Sequence, residues 1–131
     1  MENSKKRILY VEDENSTSQL INRLLAGTCD VVNSTNLEDV LNKLKDGKFA
    51  AFISDGNYPS NQNCGLKKDA WKDFYQAVRA LDKNAPFILH TTNNYAEGEV
   101  EKYTNNDANF LLVGKPISAE IKEYISKLDK K

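Results

Sequence analysis

Residues 8–14, Ile8-Leu9-Tyr10-Val11-Glu12-Asp13-Glu14, write four apolar residues and then three acids, ILYVEDE. The apolar run has the length and composition of a buried strand. Carboxylates gathered at the end of such a strand repel one another, and the repulsion costs stability unless a cation or a proton offsets it. What the offset is depends on the rest of the chain.

Working outward, short apolar runs recur at 31–32 with their flanks, at 49–53, at 87–89 with Thr91, and at 110–113. Helical stripes lie between them. Leu20, Ile21, Leu24 and Leu25 form the first, and Leu37, Val40, Leu41 and Leu44 form the second, with Asn36 placed to cap it. Trp71, Phe74, Tyr75, Val78 and Leu81 form the strongest. Ile121, Ile125 and Leu128 form the last, with Ser118 as its cap and Glu120 in its first turn. Segment 94–105 offers a core only Tyr95, Ala96, Val100 and Tyr103, and Gly98 lowers its propensity, so a mobile helix is expected there.

Strand and helix thus alternate five times, and the strands are apolar enough to be covered on both faces. The pattern predicts an α/β fold, a doubly wound five-stranded parallel sheet between helix layers. In such sheets the ligand crevice opens at the carboxyl ends of the strands, where the strand order reverses. The residues there are Glu12, Asp13 and Glu14 after the first strand, Asp55 after the third, Thr91 and Thr92 after the fourth, and Lys115 after the fifth.

The bulk properties exclude several classes of function. With 131 residues the chain makes a single domain, 1–131. Eighteen basic against nineteen acidic residues leave a net charge of −1, so no overall field draws it to nucleic acid or to an anionic membrane. Lys127, Lys130 and Lys131 read as a solvated tail. The apolar run at 8–11 behind Lys5, Lys6 and Arg7 is too short for a secretory signal. Cys29 and Cys64 have neither metal-type nor disulfide-framework spacing, which fits a reducing cytoplasm, one being a small core residue and the other a loop thiol. His90, the lone histidine, is expected to be a half-buried packing residue.

Glu12, Asp13 and Asp55 would bring three carboxylates to one crevice, a set that suits Mg²⁺, which takes oxygen ligands and commonly uses one or two carboxylates with phosphate oxygens. Lys115 adds a point charge and Thr91 a hydrogen bond for a phosphoryl group. One carboxylate then remains to act as nucleophile.

On these residues the chain resembles the receiver domains of two-component response regulators, of the stand-alone, chemotaxis-regulator-like kind. The marks are Glu12-Asp13 in YVEDE, the aspartate of FISDGNYP, the hydroxyl in ILHTTN and the lysine-proline pair in VGKPIS, and the resemblance extends from Lys6 to about Leu128. It implies the flavodoxin-like (βα)5 fold with strand order 2-1-3-4-5. It implies that Asp55 is the phosphoacceptor and Asp13 a direct Mg²⁺ ligand, with Glu12 acting through a metal-bound water. Asn57 would lend its backbone carbonyl to the metal while its side chain influences the approach of water. Lys115 would pair with the phosphoryl oxygens, Thr91 would move to hydrogen-bond them, and the bond from Lys115 to Pro116 is often cis in relatives. A sensor histidine kinase or phosphotransfer protein would supply the phosphoryl group and a downstream target protein would read it, with no enzymatic activity beyond self-catalysed transfer and loss on its own aspartate.

Three departures stand out. Thr92 occupies a place usually held by a small residue and would crowd the phosphate. Leu112 stands where an aromatic is usual, with Phe110 two residues earlier. The stretch after Pro59, SNQNCGLKKDAW, is longer than usual and reads as a mobile loop beside the site rather than an extra helical turn. A degenerate receiver that docks partners without phosphorylation is the alternative. A flavodoxin would need a hydroxyl- and glycine-rich phosphate loop where this chain has EDE, and an aspartate-nucleophile phosphatase an acid where it has Asn57.

Overall fold

The computed structural model describes residues 6–115 and 118–128. In chain order the elements are β1 (Lys6–Val11), α1 (Asn15–Leu25), β2 (Cys29–Ser34), α2 (Leu37–Asp46), β3 (Ala51–Ser54), β4 (Tyr58–Pro59), β5 (Leu66–Lys67), α3 (Trp71–Leu81), β6 (Phe87–Thr91), α4 (Glu99–Thr104), β7 (Phe110–Gly114) and α5 (Ala119–Lys127). Five strands form one parallel sheet in the order β2-β1-β3-β6-β7. Once the small β4–β5 pair is set aside, this is the expected 2-1-3-4-5 order, and it reverses between β1 and β3.

The two-residue period of a strand sorts each central strand onto two cores. Leu9, Val11, Phe52, Phe87 and Leu89 pack with α2 and α3 residues such as Val40, Trp71 and Phe74. Ile8, Tyr10, Ile53, Ile88 and Val113 pack on the other face with Ile21 and Leu25 of α1 and Ile121 and Ile125 of α5. The helix starts follow local chemistry unevenly. Asn36 caps α2, its side chain accepting from the Asp39 N–H at 2.8 Å. Ser118 holds the N-cap position of α5 but makes no side-chain cap bond.

Several expectations are corrected. Leu20 and Leu81, assigned to apolar stripes, are 46% and 67% exposed. Leu20 is rotated away from the Ile21–Leu25 seam, and Leu81 lies in the last turn of α3, beyond Val78, the helix's last buried residue. His90 is fully buried rather than half-buried. The segment read as a helix over 94–105 is helical only at Glu99–Thr104, because Gly98 at φ +80° sits before it and Asn105 and Asn106, both left-handed, close it. Their N–H groups donate back to Lys102 and Glu101, which is the geometry of a Schellman end.

The stretch after Pro59 takes no extra helical turn, as expected, but it is more ordered in form than a plain loop, since Leu66–Lys67 pairs back on Tyr58–Pro59 as the β4–β5 antiparallel hairpin. Its root is fixed by Tyr58, fully buried, whose hydroxyl lies 3.0 Å from Ser54 Oγ, and its outgoing arm by the Glu38 N–H donating to the Ser60 carbonyl at 2.8 Å. The cysteines fall as expected, Cys29 buried and Cys64 exposed.

A partly buried ion pair fastens α3 to the chain entering β7. Arg79 donates from Nε to Asp107 Oδ2 at 2.7 Å and from Nη1 to the Ala85 carbonyl at 2.7 Å, while the Tyr75 hydroxyl donates to the same carboxylate oxygen at 2.6 Å. Burial works to raise the Asp107 pKa, but the bonds from Tyr75, Arg79 and the Asn109 N–H outweigh it, and the carboxyl lies below its ordinary value. Its contribution is therefore present above the carboxylate range of the unfolded chain and is lost as pH falls through the depressed folded value. Asp107→Asn takes the carboxylate from a partly buried guanidinium that keeps its bond to the Ala85 carbonyl, and is expected to lower the unfolding free energy by about 1–3 kcal/mol in urea titrations at neutral pH. The difference from wild type should shrink as the titrations are repeated at progressively more acid pH.

Candidate functional site

The ladder hydrogen bonds run one residue past the ends of the strands. Glu12 N–H donates to the Ser34 carbonyl at 2.9 Å, Asp55 N–H to Val11 at 2.9 Å, and Lys115 N–H to Thr91 at 3.0 Å. Glu12, Asp55 and Lys115 each stand two residues beyond a core residue of one face, Tyr10, Ile53 and Val113. The pleat therefore aims all three side chains to the same side of the sheet's rim. Lys115 Nζ lies 2.7 Å from Glu12 Oε1 and 3.0 Å from Asp55 Oδ1. One carboxylate oxygen from each of Glu12, Asp13 and Asp55 falls within 4.8 Å of the others. These groups, with Asn57, Thr92 and Leu66, line a crevice of about 500 Å³ where the strand order reverses.

The electrostatics follow from crowding two buried acids against one ammonium. Glu12 is only 3% exposed, and burial first, then repulsion from Asp55, pushes its pKa up to about 7 against the bond it accepts from Lys115. Burial and the Asp55 charge also raise Asp13. Burial disfavours the Lys115 ammonium, but its bonds to Glu12 and Asp55 hold its pKa above the ordinary value. Beneath the acids lies the fully buried Tyr10, whose pKa is raised by burial and then by Glu12 and Asp55, so the phenol stays neutral. The donor set is all oxygen, with Lys115 the one cation bonded to the acids among the described residues, and Glu12, Asp13 and Asp55 together fit the oxygen preference of a hard divalent cation.

The two threonines separate by the same parity. Thr92 is exposed and faces the crevice. Thr91 is 3% exposed, and its Oγ1 accepts the Asn93 N–H at 3.0 Å. That hydroxyl rests against Gly56, where an added Cβ would lie 2.4 Å from Thr91 Oγ1 and 2.7 Å from Asn93 Nδ2. Asn57 and Asn93 form a reciprocal amide pair, each donating from Nδ2 to the other's Oδ1 at 2.9 Å. The bond between Lys115 and Pro116 lies outside the described residues.

Leu112 is 41% exposed, and the aromatic two residues earlier points inward, Phe110 stacking on Phe87 at 5.7 Å and lying 5.6 Å from Trp71. Of the residues expected at the crevice, the structure brings Glu12, Asp13, Asp55, Asn57, Thr92 and Lys115 to it, whereas Thr91 is buried against Gly56 beside it. Sequence reasoning missed Gly56, Leu66, Asn93 and the residues tied to Asn93. Glycine directly after Asp55 was the one signal in the sequence that could have been read, since a side chain is excluded there by space: its φ is not left-handed.

No protein-family model matches the chain, and no curated protein matches it. Solved structures do. The chemotaxis response regulator CheY4 of Vibrio cholerae superposes with a TM-score of 0.72 at 21% identity, covering 95% of this chain and 99% of that one. A CheY-like response regulator receiver domain from Methanospirillum hungatei gives 0.76 at 20% identity, over 97% and 96%. The BeF3-activated DrrB receiver domain gives 0.75 at 19%, over 98% and 100%. At these identities the likeness establishes the fold: the described chain has the five-stranded architecture of receiver domains over almost its whole length.

Two outcomes follow from the geometry. Gly56→Ala must push Thr91 and Asn93 apart and is expected to cost about 1–3 kcal/mol in urea unfolding. Because folding lifts the Glu12 pKa from 4.5 to about 7, the native state holds a proton that the unfolded chain has released. Metal-free stability should therefore fall as pH rises through that window, and Glu12→Gln should flatten the fall in thermal or urea titrations.

Proposed function

We propose that this chain is a receiver: it takes a phosphoryl group onto Asp55 in a Mg²⁺-dependent reaction and thereby changes its affinity for a partner protein. The observation that carries the reading is Lys115 Nζ poised 3.0 Å from Asp55 Oδ1 at the rim where Glu12 and Asp13 also converge. A carboxylate oxygen of Asp55 forms the new O–P bond as the donor's P–N bond breaks and its electron pair leaves on the donor nitrogen. Lys115 offers its ammonium to the negatively charged equatorial oxygens of the phosphoryl group, and the Gly56 N–H, donating to Asp55 Oδ1 at 2.7 Å, orients the carboxylate. Asp13 and Asp55, with the Asn57 carbonyl, would hold Mg²⁺, which when bound neutralises the incoming phosphoryl charge. Loss of the group by water returns Asp55 to its carboxylate.

The donor, on this reading, is a sensor histidine kinase or a phosphotransfer protein, and the output goes to a separate target protein in the cytoplasm. The BeF3-activated form of a fold neighbour supports a phosphoryl group as the activating ligand, since beryllium fluoride on a carboxylate imitates an acyl phosphate. Among the described residues no helix is long and apolar enough to cross a membrane.

Incubation with phosphoramidate and Mg²⁺ should produce an acid-labile adduct by intact mass, absent from Asp55→Asn and suppressed by a chelator. Lys115→Ala should slow its formation on the order of 100-fold. An unmodified wild-type protein would overturn the reading in favour of docking without phosphorylation.

A further inference from the structure

Beside the crevice, on the side away from Lys115, two segments meet through side chains that the phosphoryl reaction does not itself need. The turn before α3 brings Asp69, and the segment after β6 brings Asn93 and Tyr95. The Tyr95 hydroxyl uses all of its hydrogen-bonding capacity. It donates to Asp69 Oδ1 at 2.8 Å and accepts from Asn93 Nδ2 at 3.1 Å and from Trp71 Nε1 at 3.0 Å. Asn93 is in turn the amide partner of Asn57, and its N–H holds the Thr91 hydroxyl.

Asp69 is a left-handed non-glycine residue, φ 56°, and such a conformation persists only where surrounding contacts fix it. Here its N–H donates to Asn57 Oδ1 at 2.8 Å and its carboxylate is held by Tyr95. Trp71 is tied a second time, its backbone N–H donating to the carbonyl of Gly56, the neighbour of Asp55. The indole also meets the Tyr103 ring edge-on at 5.4 Å, and Tyr103 is exposed on α4.

We propose that Tyr95 is a positioning residue of this site: its hydroxyl fixes the Asn57–Asn93 amide pair beside Asp55 and couples occupancy of the crevice to Trp71 and, through it, to the exposed face at Tyr103. The inference rests on the reading of Asp55 as a phosphoryl acceptor. Asn93 Nδ2 also lies 3.4 Å from Asp69 Oδ1, so the amide, the carboxylate and the phenol form one bonded set. For Thr91 to reach a group on Asp55, its hydroxyl must leave its place against Gly56 and give up the Asn93 N–H. Asn93 then moves, and Tyr95, with no spare bond to absorb the movement, passes it to the indole N–H. On this proposal the coupling element is this set of hydrogen bonds, lying between Asp55 and the α4 face. It runs through Trp71 and Tyr103, whereas position 112 carries an exposed leucine.

Trp71 is the sole tryptophan, so its emission reads the proposed relay directly. Beryllium fluoride with Mg²⁺ is the probe, and bound fluoride is followed separately by fluorine NMR. Wild type should show bound fluoride and a change in Trp71 emission on binding. Tyr95→Phe should keep the bound-fluoride signal and lose the emission change. Asp69→Gly, which suits the left-handed backbone while removing the carboxylate that anchors Tyr95, should do the same. An emission change in both variants equal to wild type would overturn the relay, as would wild-type binding with silent emission. Loss of fluoride binding in both variants would assign the network a purely structural role and overturn it as well. Absence of bound fluoride in wild type would instead sink the phosphoryl-acceptor reading, and the relay with it.

Discussion

Everything at the rim depends on one ammonium shared between two carboxylates. Lys115 reaches Glu12 and Asp55 together, and Asp13 stands close enough to add a third negative charge. Without that cation, three converging acids in a partly buried crevice would be held together only by taking up protons, and the upward shift of Glu12 shows that one of them already tends to do so. The arrangement is frustrated by design of the backbone rather than by local preference. The ladder bonds at Glu12, Asp55 and Lys115 fix where the side chains start, and the pleat fixes which way they point. A cluster assembled in this way offers carboxylate oxygens that could hold a metal ion.

The cluster borders a hairpin and a polar layer that are continuous with each other. Leu66 of the β4–β5 hairpin, 65% exposed, lines the same crevice as the acids. Asn57 and Asp69, which flank the hairpin in the chain, join Thr91, Asn93 and Tyr95 in a bonded polar layer that leads into packed aromatic rings around Trp71. Gly56 is what allows this layer to stand so near Asp55, since any side chain there would occupy the space of the Thr91 hydroxyl.

Much of this was legible in the sequence because it follows from period and position. Alternating periods gave five strands and the parallel sheet, and the rule for strand ends picked out Glu12, Asp13, Asp55, Thr91, Thr92 and Lys115. The misreadings share one cause, which is tertiary context. Leu20 and Leu81 have the spacing of core residues, but only the neighbouring layer decides how wide a helix face is covered. The polar run after Pro59 has the composition of a loop, yet a buried Tyr58 and a backbone bond to α2 fold it into a hairpin. The helix before β7 is short because glycine and two left-handed asparagines bracket it, which residue frequencies alone do not reveal.

What the sequence determined by itself was the chemical inventory and its address: which groups are acids, which is the ammonium, and that all of them sit where strands end. This is so because strand periodicity is a local property of the backbone. Only the tertiary structure decided which of two adjacent threonines faces the crevice, that Asn57 pairs with Asn93, and that Tyr95 joins Asp69 to Trp71. Those contacts join residues 24 to 36 positions apart, and their geometry is set by how the loops close over the sheet, a quantity that no stretch of sequence carries alone.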